Sequence, residues 1–285
     1  MALKRRLIAA ILVRNGWAVQ SIGFRRYLPL GDPAILAETL DRWQVDEILV
    51  QDISASPGGH PFSPNLVERI ADHISTPLTI AGGLRSVDDV RAVVAGGADK
   101  VAINSANFDG LQLLKDVADI FGRQCIIGSL DVMGGGTAPY KLCSSNKAIT
   151  SDPVVWAHSL AEAGAGEILI NSIDRDGSKL GFDFTLIDKF ATGLTVPLIV
   201  VGGAGHADHI RAAMTHEGVA AVAAANLWTF SEHSVAFTKS YLRANGVPVR
   251  HDGDIEYRRC ALDHAGRPLA TDESILDALT ESPLP

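Results

Sequence analysis

The chain carries one long stretch twice. Residues 31–83 and 151–203 align without a gap at a constant spacing of 120: Asp32 with Asp152, Glu47 with Glu167, Pro77-Leu78 with Pro197-Leu198, and Gly82-Gly83 with Gly202-Gly203. Asp46-Glu47-Ile48-Leu49-Val50 in the first copy answers to Gly166-Glu167-Ile168-Leu169-Ile170 in the second. Fixed self-similarity restricts the fold more than any local propensity. The unit is too long for a solenoid repeat and holds several strand–helix pairs, so each copy reads as half of one domain.

Short apolar runs, often β-branched, fall at 7–13, 47–52, 77–81, 100–103, 125–131, 167–173, 197–201 and 220–224. Near-continuous hydrophobicity of this kind marks parallel strands covered on both faces. Helical patterns lie between them at 33–43, 64–73, 87–95, 112–121, 153–163, 184–190 and 207–215, with 233–245 after the last strand. Asp32-Pro33, Asp152-Pro153 and Ser86 with Asp89 have the chemistry of helix starts. Eight alternations in about 245 residues predict a closed (β/α)8 TIM barrel. An open doubly wound sheet is the rival, but its halves need not repeat so closely. The barrel is expected over 1–250, as half-barrels of about 1–122 and 123–250, and 251–285 as a C-terminal tail of low order. The polar stretch 133–150 reads as a flexible lid.

With 285 residues, 47% of them hydrophobic, the chain can bury a large core. A net charge of −8 and the lack of a basic block argue against nucleic acid as a partner. Three cysteines without metal spacing suit a reducing, cytoplasmic setting. The basic start, Lys4-Arg5-Arg6, precedes an apolar run of only 7–13, which reads as a strand rather than a signal peptide. No apolar run is long enough to span a membrane. His206 and His209 lack a third ligand, and neither metal nor cofactor is expected.

Active sites of this fold lie at the C-terminal ends of the strands. There the chain places Gly82-Gly83 and Asn104-Ser105, and across the mouth Gly202-Gly203 and Ala225-Asn226. Paired glycines bring backbone N–H groups close to an anion, and the next helix start adds positive charge. Alternatively, they only relieve crowding at the turn. Two such pairs in register favour anion cradles, and so an elongated ligand with an anionic group at each end. Rim acids are Asp52, Asp131, Asp174 and Asp176. Asp131 ends the fifth strand and is the candidate for proton transfer; its repeat partner is Leu12, so the mouth holds one carboxylate where symmetry would give two. At the opposite end, Arg6, Glu47, Lys100 and Glu167 start four strands. Two positive and two negative groups meeting on the axis would close the barrel floor.

Asp46-Glu47-Ile48, Gly97-Ala98-Asp99-Lys100-Val101, Gly166-Glu167-Ile168-Leu169 and Ser172-Ile173-Asp174-Arg175-Asp176-Gly177 together resemble the cyclase subunit of imidazole glycerol phosphate synthase. The resemblance covers residues 1–250. It implies a half-barrel duplication whose floor receives ammonia from a glutaminase docked at the N-terminal face. The ammonia crosses the barrel and attacks a bisphosphorylated ribonucleotide. It makes Arg6, Glu47, Lys100 and Glu167 an ammonia gate, makes the two cradles phosphate sites with Asp176-Gly177 contributing to one, and matches Asp131 to one of two catalytic aspartates. The chain departs from the family at Leu12, where the second aspartate belongs, at Gln20 in place of a lysine, at Ala81 and at Asn226. An intact gate with half of the proton machinery resembles a divergent paralogue that amidates a sugar in surface-polysaccharide synthesis. The alternatives are an authentic cyclase of histidine biosynthesis and a catalytically dead activator of a glutaminase.

Overall fold

A computed structural model describes residues 4–144, 147–149, 151–250, 257, 262–264 and 266–269. In chain order the elements are β1 (Arg6–Arg14), β2 (Trp17–Ile22), β3 (Arg26–Gly31), α1 (Pro33–Arg42), β4 (Glu47–Asp52), α2 (Ala55–Gly58), α3 (Pro64–Ala71), β5 (Leu78–Ala81), α4 (Val87–Ala95) and β6 (Lys100–Ile103). They continue with α5 (Gln112–Phe121), β7 (Ile126–Gly135), β8 (Ala138–Ser144), β9 (Lys147–Ile149), α6 (Pro153–Ala163), β10 (Glu167–Ser172), α7 (Phe184–Ala191), β11 (Leu198–Val201), α8 (Ala207–Thr215), β12 (Val219–Ala224) and α9 (Ser234–Ala244).

Eight of these strands form a closed parallel barrel. They follow the order β10-β11-β12-β1-β4-β5-β6-β7, and β7 pairs back with β10. The expected caps start their helices: Asp32 accepts from Ala34 N, Asp152 from Val154 N and Val155 N, and Ser86 and Asp89 form a reciprocal capping box. The apolar faces of the helices and the outward faces of the strands share one large core. Inside the barrel, Ile8, Leu49, Ala81, Ala102, Ile127, Leu169, Ile199, Ala221 and Ala223 form a separate apolar layer. This is a packed barrel interior, not an open pore.

The loop readings need correction. Residues 133–150 are not simply a polar lid: β7 runs on to Gly135 and β8 returns antiparallel to it, with Asp131 opposite Cys143. Gly134 and Gly135 form the irregular end of β7 and Gly136 enters the turn. Gly134, Gly135 and Gly136 all have positive φ, and a Cβ on Gly134 would lie 2.4 Å from the carbonyl oxygen of Pro139. Gly134 N donates to Asp174 at 2.6 Å, and the Tyr140 hydroxyl donates to Asp183 at 3.0 Å, fixing the hairpin to neighbouring loops. A matching ribbon, β2 with β3, follows β1 and was not anticipated. Residues 145, 146, 150 and most of 251–285 lie outside the described residues, so the reading of the tail is not addressed there.

One buried pair ties the ends of the barrel chain together. Lys239 of α9 meets Asp46 at 2.7 Å, and Asp46 also accepts from Leu7 N at 2.7 Å. Asp46 therefore joins the starts of β1 and β4 to the last helix, which explains that acid in the recognition segment as structural.

Candidate functional site

Side chains alternate along a strand, so each inward-facing series reads as a column through the barrel. β4 supplies Glu47, Leu49 and Gln51; β6 and the residue after it supply Lys100, Ala102 and Asn104; β10 supplies Glu167, Leu169 and Asn171. β1 gives Arg6, Ile8, Ala10 and Leu12, and β7 gives Ile127, Ser129 and Asp131. Charges stand at the floor, aliphatic groups in the middle, and polar groups, except on β1, at the mouth.

The four floor charges meet. Arg6 Nη1 donates to Glu47 Oε2 at 2.8 Å and Arg6 Nη2 to Glu167 Oε1 at 2.7 Å. Lys100 Nζ lies 3.2 Å from Glu47 and 3.3 Å from Glu167, which completes the ring. Thr79, which the sequence did not single out, donates to Glu47 Oε1 at 2.8 Å. Burial works against the Arg6 charge, but the carboxylates of Glu167 and Glu47 outweigh it and hold its pKa above the ordinary value. Each charge is paired, as semi-buried charges must be.

At the mouth a cavity of about 350 Å³ is lined by both Leu12 and Asp131. Asp131 is held by two amides that the duplication alone did not reveal. Asn104 Nδ2 donates to its Oδ2 at 2.8 Å, and Asn171 Nδ2 to its Oδ1 at 2.9 Å. Burial raises its pKa to about 6, against the opposing pull of the Asn171 and Asn104 hydrogen bonds, and Asp176 adds a smaller raising effect. A carboxyl group near this value can both accept and return a proton around neutral pH. The Leu12 side is different. Its repeat-equivalent neighbours are Gln51 and Ala225 where Asp131 has Asn171 and Asn104, so most of the carboxylate's support is missing together with the carboxylate.

Both glycine pairs face this cavity. Gly82, Gly83, Gly202 and Gly203 have φ between +72° and +107°. A Cβ on Gly82 would lie 2.2 Å from Asp52 O, and one on Gly203 2.1 Å from Gly181 O, so packing alone demands glycine at both places. At the first pair, Gly83 N donates to Ser56 Oγ at 3.3 Å, and Ser56 Oγ lies 3.3 Å from Ser105 Oγ. Asn104 and Ala225 share an unusual backbone geometry before matching 3₁₀ turns, with φ −120° and ψ −86° for one and φ −107° and ψ −80° for the other.

The second pair is bound up with the β2–β3 ribbon. Asn226 Nδ2 donates to Ser21 O at 2.6 Å, and its Oδ1 accepts from Ser21 N at 3.3 Å. Asp176 accepts from Ser21 Oγ at 2.7 Å and from Phe24 N at 3.0 Å, while Gly177 packs against the Ser21 backbone. Gln20 donates to Thr229 at 2.7 Å. Asn226 and Asp176 thus latch the ribbon beside the cavity, a role the sequence reading missed. Asp52 accepts from Ser54 and Ala55 as a local turn cap. The rings of His206 and His209 lie 3.6 Å apart between centroids, tilted by 31°, and among the described residues no group of His, Cys, Asp and Glu is arranged to hold a metal. No helix among them is long and apolar enough to cross a membrane.

Comparison with known proteins agrees with this architecture. The family described as "Histidine biosynthesis protein" matches residues 6–233. The chain is 36% identical over 268 residues to the "Putative imidazole glycerol phosphate synthase subunit hisF2" of Vibrio vulnificus (strain YJ016), covering 93% of this chain and 98% of that protein. It is 38% identical over 252 residues to the "Imidazole glycerol phosphate synthase subunit HisF" of Streptomyces avermitilis, covering 88% of this chain and 100% of that protein. With a closed duplicated barrel, a paired charge ring in its floor and a cavity at its mouth, the chain belongs to the histidine biosynthesis protein family, as a relative of the imidazole glycerol phosphate synthase cyclase subunit.

Proposed function

We propose that the chain is the ammonia-consuming subunit of a glutamine-dependent two-protein synthase, and that its acceptor is a phosphorylated metabolite other than the usual bisphosphorylated ribonucleotide, a sugar of surface-polysaccharide synthesis being the favoured class. A glutaminase docks at the N-terminal face. Ammonia passes the ring of Arg6, Glu47, Lys100 and Glu167 and then the apolar layer, where Ala81, Ala102, Ala221 and Ala223 leave the least side chain in its way. At about 3.3 Å per residue, the six-residue rise from Arg6 to Leu12 makes this path on the order of 20 Å.

At the mouth, Asp131 is the single proton-transfer group. Asn104 and Asn171 hold its carboxylate, and Asn104 Oδ1, buried with no hydrogen-bond partner among the described residues, offers an acceptor for an N–H of the incoming nitrogen. The lone pair of ammonia adds to a carbonyl carbon, giving an imine and water, or to an acyl carbon already activated as a phosphate, giving an amide and free phosphate. Asp131 takes each proton that the nitrogen loses and returns it to the departing oxygen. The glycine pairs 82–83 and 202–203, with Asn104, Ser105, Gly177, Ala225 and Asn226, hold the anionic ends. Asp176 acts there indirectly, by shaping the ribbon.

The observation that carries this reading is Leu12, which lines the same cavity as Asp131 without a titratable group. The authentic cyclase of histidine biosynthesis is the second reading, favoured by the full-length likeness to the Streptomyces avermitilis protein. The two separate by isotope. With ¹⁵N-ammonium, a panel of keto- and carboxy-sugar nucleotides and the bisphosphorylated ribonucleotide, mass spectrometry should find ¹⁵N in a sugar and not in the ribonucleotide product, with the signal lost in Asp131→Asn. Label in the ribonucleotide product would establish the second reading instead.

A further inference from the structure

Three carboxylates line the mouth cavity (Asp52, Asp131 and Asp176) and, among the described residues, one lysine and no arginine. A cavity proposed for a ligand with two anionic ends therefore has one lining cation, Lys179, while Arg175 lies behind the cradle with its Cβ 3.2 Å from where a Cβ on Gly203 would be. Its backbone has φ +60°, a conformation that strains a residue with a Cβ, and its repeat partner 120 residues earlier is Gly59, with φ +73°. The duplicated loop keeps the glycine geometry but carries a lysine in it. Strain of this kind persists where the surroundings hold it in place.

Those surroundings are the second glycine cradle. Gly181 N donates to Gly203 O at 2.9 Å. A Cβ on Gly205 would lie 2.7 Å from Lys179 Cβ and 2.8 Å from its carbonyl oxygen. Gly205 is the repeat partner of Arg85, whose guanidinium donates to Ser56 O at 2.6 Å beside the first cradle. The two halves thus carry their cation on opposite loops: glycine at 59 with arginine at 85, and lysine at 179 with glycine at 205. Missing bulk at Gly205 is what admits the lysine backbone. Lys179 Nζ lies 3.7 Å from the centroid of the Phe230 ring, which directly follows the 3₁₀ turn closing the cradle, and among the described residues it makes no ion pair.

We infer that Lys179 is the specificity-determining counter-charge for the anionic group at Gly202-Gly203, with Phe230 as the resting place from which its ammonium is recruited. This rests on the reading of the glycine pairs as anion cradles. The first cradle, bordered by hydroxyls and a fixed guanidinium, does not depend on Lys179. The ends of the ligand are therefore told apart: one is held by a built-in polar cup and the other by a single recruitable charge. Gln20, whose amide is engaged with Thr229, supplies no such charge.

The test uses inorganic phosphate as probe, titrated at constant ionic strength into the full chain, with the amide resonances of Gly83 and Gly203 reporting each cradle separately. Lys179→Met should weaken the phosphate response at Gly203 by at least about tenfold, the loss expected for one charge-assisted hydrogen bond, and leave Gly83 unchanged. Lys179→Arg should retain the response, and Phe230→Ala should strengthen it about two- to fivefold by freeing the ammonium from an exposed ring. Lys179→Gly relaxes the backbone, so it must fold at least as well as the parent and still lose the Gly203 response. A Gly203 response unchanged in Lys179→Met, or equal losses at both cradles, would overturn the assignment alone. No response at either glycine in the unaltered chain would overturn the cradle reading together with it.

Discussion

Asn171→Leu tests the chemistry assigned to Asp131, because it removes one amide donor while keeping the branched outline of the side chain. In the parent, Asn171 Nδ2 donates to Asp131 Oδ1 at 2.9 Å while Asn104 serves Oδ2. Both bonds favour the ionised carboxylate, and both oppose the burial that lifts its pKa to about 6. A hydrogen bond to a charged group is worth about 1.5–3 kcal/mol, and one pKa unit corresponds to about 1.4 kcal/mol. Losing the Asn171 donor should therefore raise the Asp131 pKa by about one to two units, with Asn104→Leu acting in the same direction. The assay is a ¹³C titration of the aspartate carboxyls, with Asp131 assigned by its absence in Asp131→Asn. The acidic limb of the ammonia-dependent pH–rate profile should move upward with it. A titration that stays in place, or moves down, refutes the view that these amides tune the group.

Three further outcomes follow from buried charge. The native Asp131 keeps its proton until about pH 6 whereas an ordinary aspartate loses it near 3.8, so stability falls as pH rises through that window, by at most about 3 kcal/mol. Asp131→Asn should flatten this part of a denaturant-midpoint profile, and an unchanged slope would contradict the assignment. Glu47→Gln leaves Arg6 and Lys100 to share Glu167 and should cost about 3 kcal/mol in urea unfolding; a neutral result would show that the ring is not a coupled unit. Lys239→Met strips the partner from Asp46, whose side chain is only 1% exposed, and should cost about 3–5 kcal/mol in urea unfolding, with part of the loss recovered by adding Asp46→Asn, whose amide oxygen can still accept from Leu7 N; no recovery would show that the buried charge is not the cause.

The repeat made the barrel legible, since a fixed spacing of 120 places whole columns of side chains in equivalent positions. Alternation then located the floor: Arg6, Glu47, Lys100 and Glu167 stand at strand starts, and their inward direction follows from the pleat. The antiparallel return of the chain from β1 into β2 was missed although Asn15-Gly16, both with positive φ, is a strong two-residue turn signal, and the β2–β3 ribbon was missed with it. The hairpin β7–β8 was not legible in the polar stretch 133–150, because a run such as Gly134-Gly135-Gly136 looks the same in sequence whether it is loose or carries a strand into a required turn. Asn171 is two pleats above Glu167 and could have been found by the same alternation. Lys179 was visible only through its repeat partner Gly59, because nothing in a lysine itself announces a left-handed backbone. The roles of Asn226 and Asp176 depend on Ser21, more than 150 residues away, and contacts of that range are set by tertiary packing rather than local pattern.

We propose that one carboxylate, where the pseudo-symmetry of the mouth has room for two, separates this barrel from the usual cyclase. It is tested most directly by supplying the bisphosphorylated ribonucleotide with ammonium salt to the parent chain and to Leu12→Asp, and timing the appearance of imidazole glycerol phosphate. The parent should give no product above background, and restoring Asp at position 12 should bring a gain of roughly 10²–10⁴-fold, the scale of one general acid–base group. Rapid turnover by the parent, indifferent to the residue at position 12, would contradict it.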